Sequence, residues 1–183
     1  RRPDQQLNDA GVSQIVVQDL NDVDESTLAA GLENVDTVFH LAARTHSPDA
    51  DPQAYQSDNV AVTTRITRLA ITAGVKHLVF VSSVKAMGEV SADTPLTPQT
   101  TAKPEDDYGR SKLAAEQALI ERCRASTTQF SILRPPLVYG TDAPGNLSQL
   151  IRLIQTGIPL PLAAIHNQRS MICRDNLIDL LVA

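Results

Sequence analysis

The sequence predicts an α/β protein built on a doubly wound parallel sheet. Short apolar runs rich in β-branched residues alternate with segments of helical pattern along the chain. Most of these runs are nearly continuous rather than interrupted by polar residues, which is typical of strands buried on both faces of a parallel sheet. No internal repeat, long linker or low-complexity segment breaks the alternation.

Four of the runs are predicted strands, and the segments between and after them are predicted helices. The strands are expected at residues 15–17, 35–41, 77–83 and 130–133. The helices are expected at residues 26–31, 52–73, 107–125, 147–155 and 176–182, with glycines as stop signals at the end of the first two. A turn-rich stretch, TDAPGN, follows Gly140 and predicts a boundary there between residues 1–140 and residues 141–183.

Composition and charge exclude several classes of protein. Hydrophobic residues make up 42% of the 183 residues and charged residues 20%, as in ordinary globular domains. The net charge is −5 and the sequence has no basic cluster, so no nucleic-acid partner is expected. No apolar run approaches the ~18 residues that cross a bilayer, so no membrane partner is expected either. Cys123 and Cys173 are too few for a disulfide framework, which fits a cytoplasmic location.

The most informative motif is Tyr108-x-x-x-Lys112. Residues four apart share one face of a helix, so the phenol and the ammonium can converge on one site. A tyrosine that titrates near ~10 is a poor base at neutral pH, and a neighbouring cation lowers its pKa. Ser82 and Ser83 end the third predicted strand, where a hydroxyl at the carboxyl end of a parallel strand can face a ligand. We therefore predict that Tyr108 and Lys112 are catalytic together with a hydroxyl of this strand-end pair. The alternatives are a Tyr/Lys pair that merely flanks a helix start and a serine that merely ends a strand.

Several blocks, in this order along the chain, resemble the extended short-chain dehydrogenase/reductase family of NAD(P)-dependent nucleotide-sugar epimerases, dehydratases and reductases. The matching blocks are Asp19-Leu20, VFHLAA at 38–43, DNV at 58–60, FVSS at 80–83, Tyr108-x-x-x-Lys112, LRPP at 133–136 with VYG at 138–140, and Arg169. The resemblance implies a Rossmann-like sheet and NAD, or alternatively NADP, as cofactor. It implies a nucleotide-sugar substrate, UDP-linked, and a homodimer for the full-length protein.

The same resemblance implies a role for each matching residue. Tyr108 would be the general acid/base, Lys112 would hold the nicotinamide ribose and tune Tyr108, and Ser83 would hydrogen-bond the reacting sugar oxygen. The cofactor-binding residues would be Asp19, Leu20, Leu41, Ala42, Ala43, Asn59, Tyr108, Lys112 and Pro135. The substrate-binding residues would be Ser83, Asn146 and Arg169. The alternatives are an ordinary helix-face residue for Asn59 and a solvated surface side chain for Arg169.

Other polar side chains are expected to be structural. A histidine that ends a strand, as His40 does, is more often structural than catalytic. The remaining histidines share no metal-ligand spacing with Cys, Asp or Glu residues, so no metal site is predicted.

The family's phosphate-binding fingerprint, G-x-x-G-x-x-G after the first strand, is absent from the sequence. The resemblance places that loop and the first two strands ahead of Arg1. Residues 1–140 are therefore expected to be a partial NAD(P)-binding Rossmann-like domain that lacks its first two strands, and residues 141–183 the start of a substrate-binding subdomain. We expect this N-terminally truncated piece to be inactive by itself and to bind NAD(P) weakly, because backbone N–H groups at a helix start hold the pyrophosphate.

The residues after Ser83 limit which of the family's reactions is expected. The family's 4,6-dehydratases carry an acidic pair directly after the strand-end hydroxyl residue, whereas Val84 and Lys85 stand there in this sequence. The stretches SSVKAMGE and NQRSMICRDNLIDL look similar to bacterial members of polysaccharide synthesis. We expect a UDP-glucose 4-epimerase-like enzyme that acts through a transient 4-keto sugar. The alternatives are a 4-keto nucleotide-sugar reductase and, in another class, a non-catalytic NAD(P)-binding sensor.

Overall fold

The computed structural model describes residues 4, 7, 9–10, 12–45, 51–91, 94–140, 146–157 and 168–183. The chain divides into two units, Arg1–Arg134 and Pro135–Ala183. The assignment of a cofactor domain to residues 1–140 and of a substrate subdomain to residues 141–183 stays a prediction. Among the described residues, no helix is both long and apolar enough to cross a membrane.

The first unit is built on a parallel sheet of three strands. The strands are β1 (Thr37–His40), β2 (His77–Val81) and β3 (Gln129–Leu133), in the order β1-β2-β3. Thr37 pairs with His77, and His77 pairs with Gln129. Three of the four predicted strands and the α/β class with a parallel sheet are therefore confirmed. The carboxyl ends of all three strands meet at one edge of the sheet, where ligands bind in doubly wound folds.

The predicted strand at residues 15–17 is wrong. This segment has no regular backbone structure, and Ile15 and Val16 are 57% and 42% exposed. Within the described part of the chain, β1 pairs with β2 and with no other strand. A β-branched run becomes a strand only where a neighbour accepts and donates its ladder hydrogen bonds. Ile15 instead lies against Gly31, 3.1 Å from the position that a Cβ on that glycine would take.

Helices cover the sheet of the first unit. They are α1 (Glu25–Ala30), α2 (Pro52–Tyr55), a π-helical stretch (Gln56–Ala61), α3 (Val62–Thr72) and α4 (Asp107–Arg124). A short 3₁₀ turn, Val84–Ala86, follows β2. The π-helical stretch interrupts what the sequence predicted as one helix over residues 52–73.

The core of the first unit lies between β2 and α4. Leu78 and Phe80 are fully buried against Ala115, Leu119 and Cys123 of the helix. Burial of side chains of the size of Leu and Phe contributes about 1.5–3 kcal/mol each. This packing fixes the helix over the strand and so places the first turn of α4 near the carboxyl end of β2.

The second unit contains two short parallel strands and two helices. The strands are β4 (Leu137–Tyr139) and β5 (Met171–Cys173), and the helices are α5 (Asn146–Gln155) and α6 (Arg174–Val182). Both helices were predicted. The strands were not, because three residues are too few to show a hydrophobic period.

Candidate active site

The turn after β2 brings Ser83 to the carboxyl end of the sheet. The Ser83 backbone is extended, and its Oγ accepts a hydrogen bond from the backbone N–H of Lys85 at 3.2 Å, which caps the 3₁₀ turn. The Ser83 hydroxyl also lies near enough to the phenol of Tyr108 to lower the pKa of that phenol. The structure therefore brings together two of the three side chains predicted to form the catalytic set.

The first turn of α4 lies unusually close to this turn. Asp106 caps the helix, and its Oδ1 accepts the backbone N–H of Gly109 at 2.7 Å. A Cβ placed on Gly109 would lie only 2.4 Å from the carbonyl oxygen of Lys85. Glycine is therefore required here by close approach of the two backbones, which brings Tyr108 within reach of Ser83.

The environment of Tyr108 raises the pKa of its phenol above the ordinary value. Burial is the largest cause. The negative charge of Asp106 acts in the same direction, as does the ionisable phenol of Tyr55, whose ring centroid lies 6.1 Å from that of Tyr108. The hydrogen bond from Ser83 and the positive charge of Lys85 act against it. The phenol is therefore protonated at neutral pH in this structure.

Lys112 lies at the carboxyl end of β2, with its ammonium beside the last residue of that strand. Its side chain is 1% exposed, and its Nζ donates a hydrogen bond to the carbonyl of Val81 at 2.8 Å and lies 4.2 Å from the centroid of the Phe80 ring. Burial lowers the pKa of Lys112 to about 8, although the charge of Glu116 acts to raise it. The expectation that Lys112 lowers the pKa of Tyr108 is not met here, because the cation that has this effect is Lys85.

Asn59 lies in the π-helical stretch and is 1% exposed. Its Oδ1 accepts the backbone N–H of Arg44 at 2.7 Å, and its Nδ2 donates to the Arg44 carbonyl at 3.2 Å and to the Ser111 Oγ at 2.9 Å. Asn59 therefore ties the loop after β1 to helix α4. Its predicted contact with the cofactor stays a prediction.

The loop after β1 carries three of the predicted cofactor-binding residues. Leu41 and Ala42 are exposed and Ala43 is half-buried, and Leu41 is 58% exposed although it is apolar. Small and exposed apolar residues at the carboxyl end of a parallel strand leave room for a ligand to approach the backbone.

The Asp19-Leu20 turn is connected to the helix that carries Asn59. The Asp19 Oδ1 accepts the backbone N–H and the Nδ2 of Asn21 at 2.8 and 3.1 Å, and the same Nδ2 donates to Asp58 at 3.0 Å. The carbonyl of Leu20 accepts a hydrogen bond from Arg65 at 2.9 Å. Asp19 is exposed and Leu20 half-buried, so both are open to a ligand.

Three predicted site residues belong to the second unit. Pro135 is its first residue and is half-buried, and Arg169 is exposed. Asn146 begins α5, and its side chain lies outside the part of the chain that is described. Their predicted contacts with cofactor and substrate stay predictions.

His40 is buried in the core of the first unit. Its Nε2 is 2.9 Å from the hydroxyl of Thr63, and its ring stacks on Phe80 at 5.3 Å. Burial, helped by the charge of Lys112, lowers the pKa of His40 to about 4, so the ring is neutral. These contacts account for His40 as a structural residue. Across the described ranges, no group of three or more Cys, His, Asp or Glu residues could hold a metal ion.

Lys85 is the site residue that sequence reasoning missed. Its Nζ lies 2.7 Å from the Asp106 Oδ2 and 2.8 Å from the Glu89 Oε1. The spacing of Lys85 and Glu89 gave a weak signal, but the pairing with Asp106 joins residues on two separate elements and no local pattern indicates it.

Serine and tyrosine side chains meet at the carboxyl end of a parallel strand, and a buried lysine follows one helical turn further on. This is the arrangement of the extended short-chain dehydrogenases/reductases. The chain belongs to the NAD dependent epimerase/dehydratase family, whose profile matches residues 1–182. The family predicted from the sequence is therefore confirmed.

Individual relatives agree with this membership. Over 171 residues the chain is 39% identical to the UDP-glucose 4-epimerase of Vibrio cholerae, a match that covers 90% of this chain and 52% of that protein. It is 31% identical over 161 residues to the N-acetyl-alpha-D-glucosaminyl-diphospho-ditrans,octacis-undecaprenol 4-epimerase of Escherichia coli O157:H7, covering 86% of this chain and 48% of that protein. The chain thus spans about half the length of these curated relatives.

A solved structure shows the same fold. MoeE5 in complex with UDP-glucuronic acid and NAD superimposes with a TM-score of 0.78 at 26% sequence identity, covering 97% of this chain and 65% of that one.

Proposed function

We propose that the complete protein is an NAD-dependent nucleotide-sugar 4-epimerase that acts on a UDP-sugar through a transient 4-keto sugar. The observation that carries the proposal is the proximity of the Ser83 hydroxyl and the Tyr108 phenol at the carboxyl end of β2, with the ammonium of Lys112 held at the same strand end. The two curated relatives described above are 4-epimerases, and MoeE5 holds a UDP-sugar together with NAD.

The residues at this edge of the sheet fit a dinucleotide. An ammonium has three N–H donors, and among the described contacts of Lys112 the carbonyl of Val81 takes one of them. Its other N–H groups would hold the hydroxyls of a ribose. Leu41 and Ala42 lie open at the end of the neighbouring strand, and Asp19 with Leu20 would flank the adenine. When bound, NAD supplies an acceptor for the hydride of the sugar C4 and returns it.

Ser83 and Tyr108 would handle the proton. The Ser83 hydroxyl can hydrogen-bond the C4 oxygen while Tyr108, as phenolate, takes the proton from the C4 hydroxyl and gives it back to the product. The raised pKa of the phenol means that the base form is scarce near neutrality. The positive charge of Lys85, which lowers the pKa of the phenol, therefore increases the share of the protein that can begin a turnover in this direction.

The turn after β2 disfavours a dehydratase. A dehydratase requires a carboxylate directly after the strand-end hydroxyl residue, where this chain has Val84 and Lys85. Burial lowers the pKa of Lys85, but its hydrogen bonds with Asp106 and Glu89 outweigh this and raise it overall. Lys85 therefore stays charged and cannot take the place of a base.

The experiment is an assay of the complete protein with UDP-glucose and NAD. We expect UDP-galactose to form, and we expect Tyr108→Phe to lower turnover by a factor on the order of 10² or more while NAD binding is kept. Tyr139→Phe is the matched control, since Tyr139 is another tyrosine, 41% exposed and in the second unit, and it should leave turnover unchanged. Single-direction reduction of a 4-keto sugar with net consumption of NAD(P)H would replace the epimerase with the reductase.

The family resemblance also supports a cytoplasmic homodimer. Light scattering on the complete protein tests the dimer, and a monomer that turns over substrate at the full rate would contradict it.

A further inference from the structure

Lys85 contacts both elements of the proposed active site. It lies two residues after Ser83, and its backbone N–H donates to the Ser83 Oγ. Its ammonium pairs with Asp106, which caps the helix that carries Tyr108, and with Glu89 at the far end of the turn. The side chains of the three charged residues are between 26% and 30% exposed, so water screens these ion pairs only in part.

The backbone of Lys85 reinforces the same connection. Its carbonyl oxygen packs against Gly109 of the helix. A Cβ at that position would come within 2.4 Å of the oxygen, so only glycine fits there. The side chain thus holds together two backbone segments that are already in contact. The pairing therefore joins the turn that carries Ser83 to the cap of the helix that carries Tyr108.

We propose that Lys85 is a positioning residue for the Ser83–Tyr108 pair: its ion pair with Asp106 holds the turn that carries Ser83 against the first turn of the helix that carries Tyr108, and it places a positive charge beside the phenol. This inference rests on the proposed function for its kinetic consequences. It does not rest on it for the ionisation of Tyr108, which can be measured without substrate.

Several charged and titratable groups face the phenol. Asp106 comes from the cap of its own helix, Lys85 from the turn after β2, and Tyr55 from α2. Glu89 pairs with Lys85. Replacing Lys85 with a neutral residue leaves the carboxylates in place, so the phenol should ionise at higher pH.

Neutralising Asp106 has the opposite effect on the phenol. Asp106→Asn removes a negative charge that disfavours the phenolate, so the phenol should ionise at lower pH. Asparagine is as good an N-cap as aspartate, so the helix start is kept. A purely structural role for the ion pair would move both variants in the same direction, whereas the proposed role moves them in opposite directions.

The kinetic test compares pH profiles of the complete protein. For Lys85→Met we expect kcat to fall about 10-fold or more with KM changed by less than about 3-fold, because the reacting groups and not the binding surface are displaced. The acidic limb of the kcat profile should move to higher pH by roughly 0.5–1 pH unit, and Lys85→Arg should restore it. Lys76→Met is the matched control, since Lys76 also pairs with a carboxylate, Asp36 at 2.9 Å, but is 77% exposed.

The second readout needs no reaction. The ionisation of Tyr108 is followed by phenolate absorbance after a pH jump, as the difference from Tyr108→Phe, in the wild-type protein, Lys85→Met and Asp106→Asn. Shifts in opposite directions support the proposal, even if the wild-type protein shows no epimerase activity and the proposed function fails. Shifts in the same direction, or none, overturn it, as does a Lys85→Met protein with wild-type kcat. If Lys85→Met does not fold, Asp106→Asn decides alone, and an alkaline shift or no shift overturns the proposal.

Discussion

Gly109→Ala tests the close approach on which the site is built. Gly109 is helical, so replacement by alanine should by propensity alone stabilise the protein by about 1 kcal/mol. The new Cβ, however, would meet the Lys85 carbonyl oxygen at 2.4 Å and the Asp106 Oδ1 at 3.0 Å. The Lys85 oxygen belongs to the backbone, and the Asp106 Oδ1 is held by its capping hydrogen bond with the Gly109 N–H. Overpacking of this kind costs about 1–3 kcal/mol or more. We expect a net loss of about 1–2 kcal/mol in the free energy of unfolding.

The loss is measured by urea unfolding as a change in the midpoint at constant m value. Because the clash pushes the turn after β2 away from the helix, kcat should fall on the order of 10-fold or more at the same time. Gly31→Ala is the matched control. The tightest contact of its Cβ would be the Ile15 Cδ1, at 3.1 Å, and that residue is 57% exposed and can turn away, while the backbone carbonyl oxygens nearby lie at ordinary distances of 3.5 Å or more. A Gly109→Ala protein that is more stable than the wild type would refute the reasoning.

Three further substitutions probe other contacts of the site. Asn59→Ala removes the amide that ties the loop after β1 to α4, and should lower the free energy of unfolding by about 2–4 kcal/mol. Thermal or urea unfolding measures this loss, and a loss below ~0.5 kcal/mol would contradict the contacts. Glu116→Gln weakens a bidentate pair with Arg134 and should cost about 2 kcal/mol or more, whereas Asp36→Asn, on an exposed pair, should cost less than ~0.5 kcal/mol. Lys112→Met should abolish NAD binding and yet stabilise the protein by up to about 3 kcal/mol at neutral pH. The reason is that folding lowers the pKa of Lys112 from 10.5 to about 8, because burial disfavours the charged form. The penalty is complete below pH 8 and disappears as pH rises toward ~10.5, so the stability difference between Lys112→Met and the wild type should vanish over that range; a difference independent of pH would contradict it.

The sequence pattern correctly predicted the strands and helices that are determined by residues close together in the chain. The apolar runs that became β1, β2 and β3 are long enough to read, and helix α4 begins beside a good N-cap, Asp106. The run at residues 15–17 has the same composition, but whether it forms a strand depends on a neighbour elsewhere in the chain, and composition carries no information about that neighbour. The π-helical stretch around Asn59 likewise has no signal in a hydrophobic period.

The sequence predicted which residue types form the site, but it did not predict how their surroundings change the pKa of Tyr108. Ser83 and Tyr108 do meet, as the order of strand end and helix start suggested. The pKa of Tyr108 was expected to fall because the motif shows only the cation on the same helix, Lys112. Burial of the ring and the charge of Asp106 reverse the direction, and both depend on how the turn after β2 packs on α4. The Lys85–Asp106 pair was not predicted, because it depends on the same packing of the turn after β2 on α4.

The most direct measurement follows the hydrogen at C4 of the sugar. UDP-glucose deuterated at C4 is incubated with the complete protein and NAD, and the products are analysed by NMR and mass spectrometry, with Tyr108→Phe as the inactive control. An epimerase that uses Ser83 and Tyr108 should yield UDP-galactose that keeps the deuterium at C4, with none lost to solvent. Absence of UDP-galactose, or UDP-galactose with protium at C4, would contradict the proposed 4-epimerase.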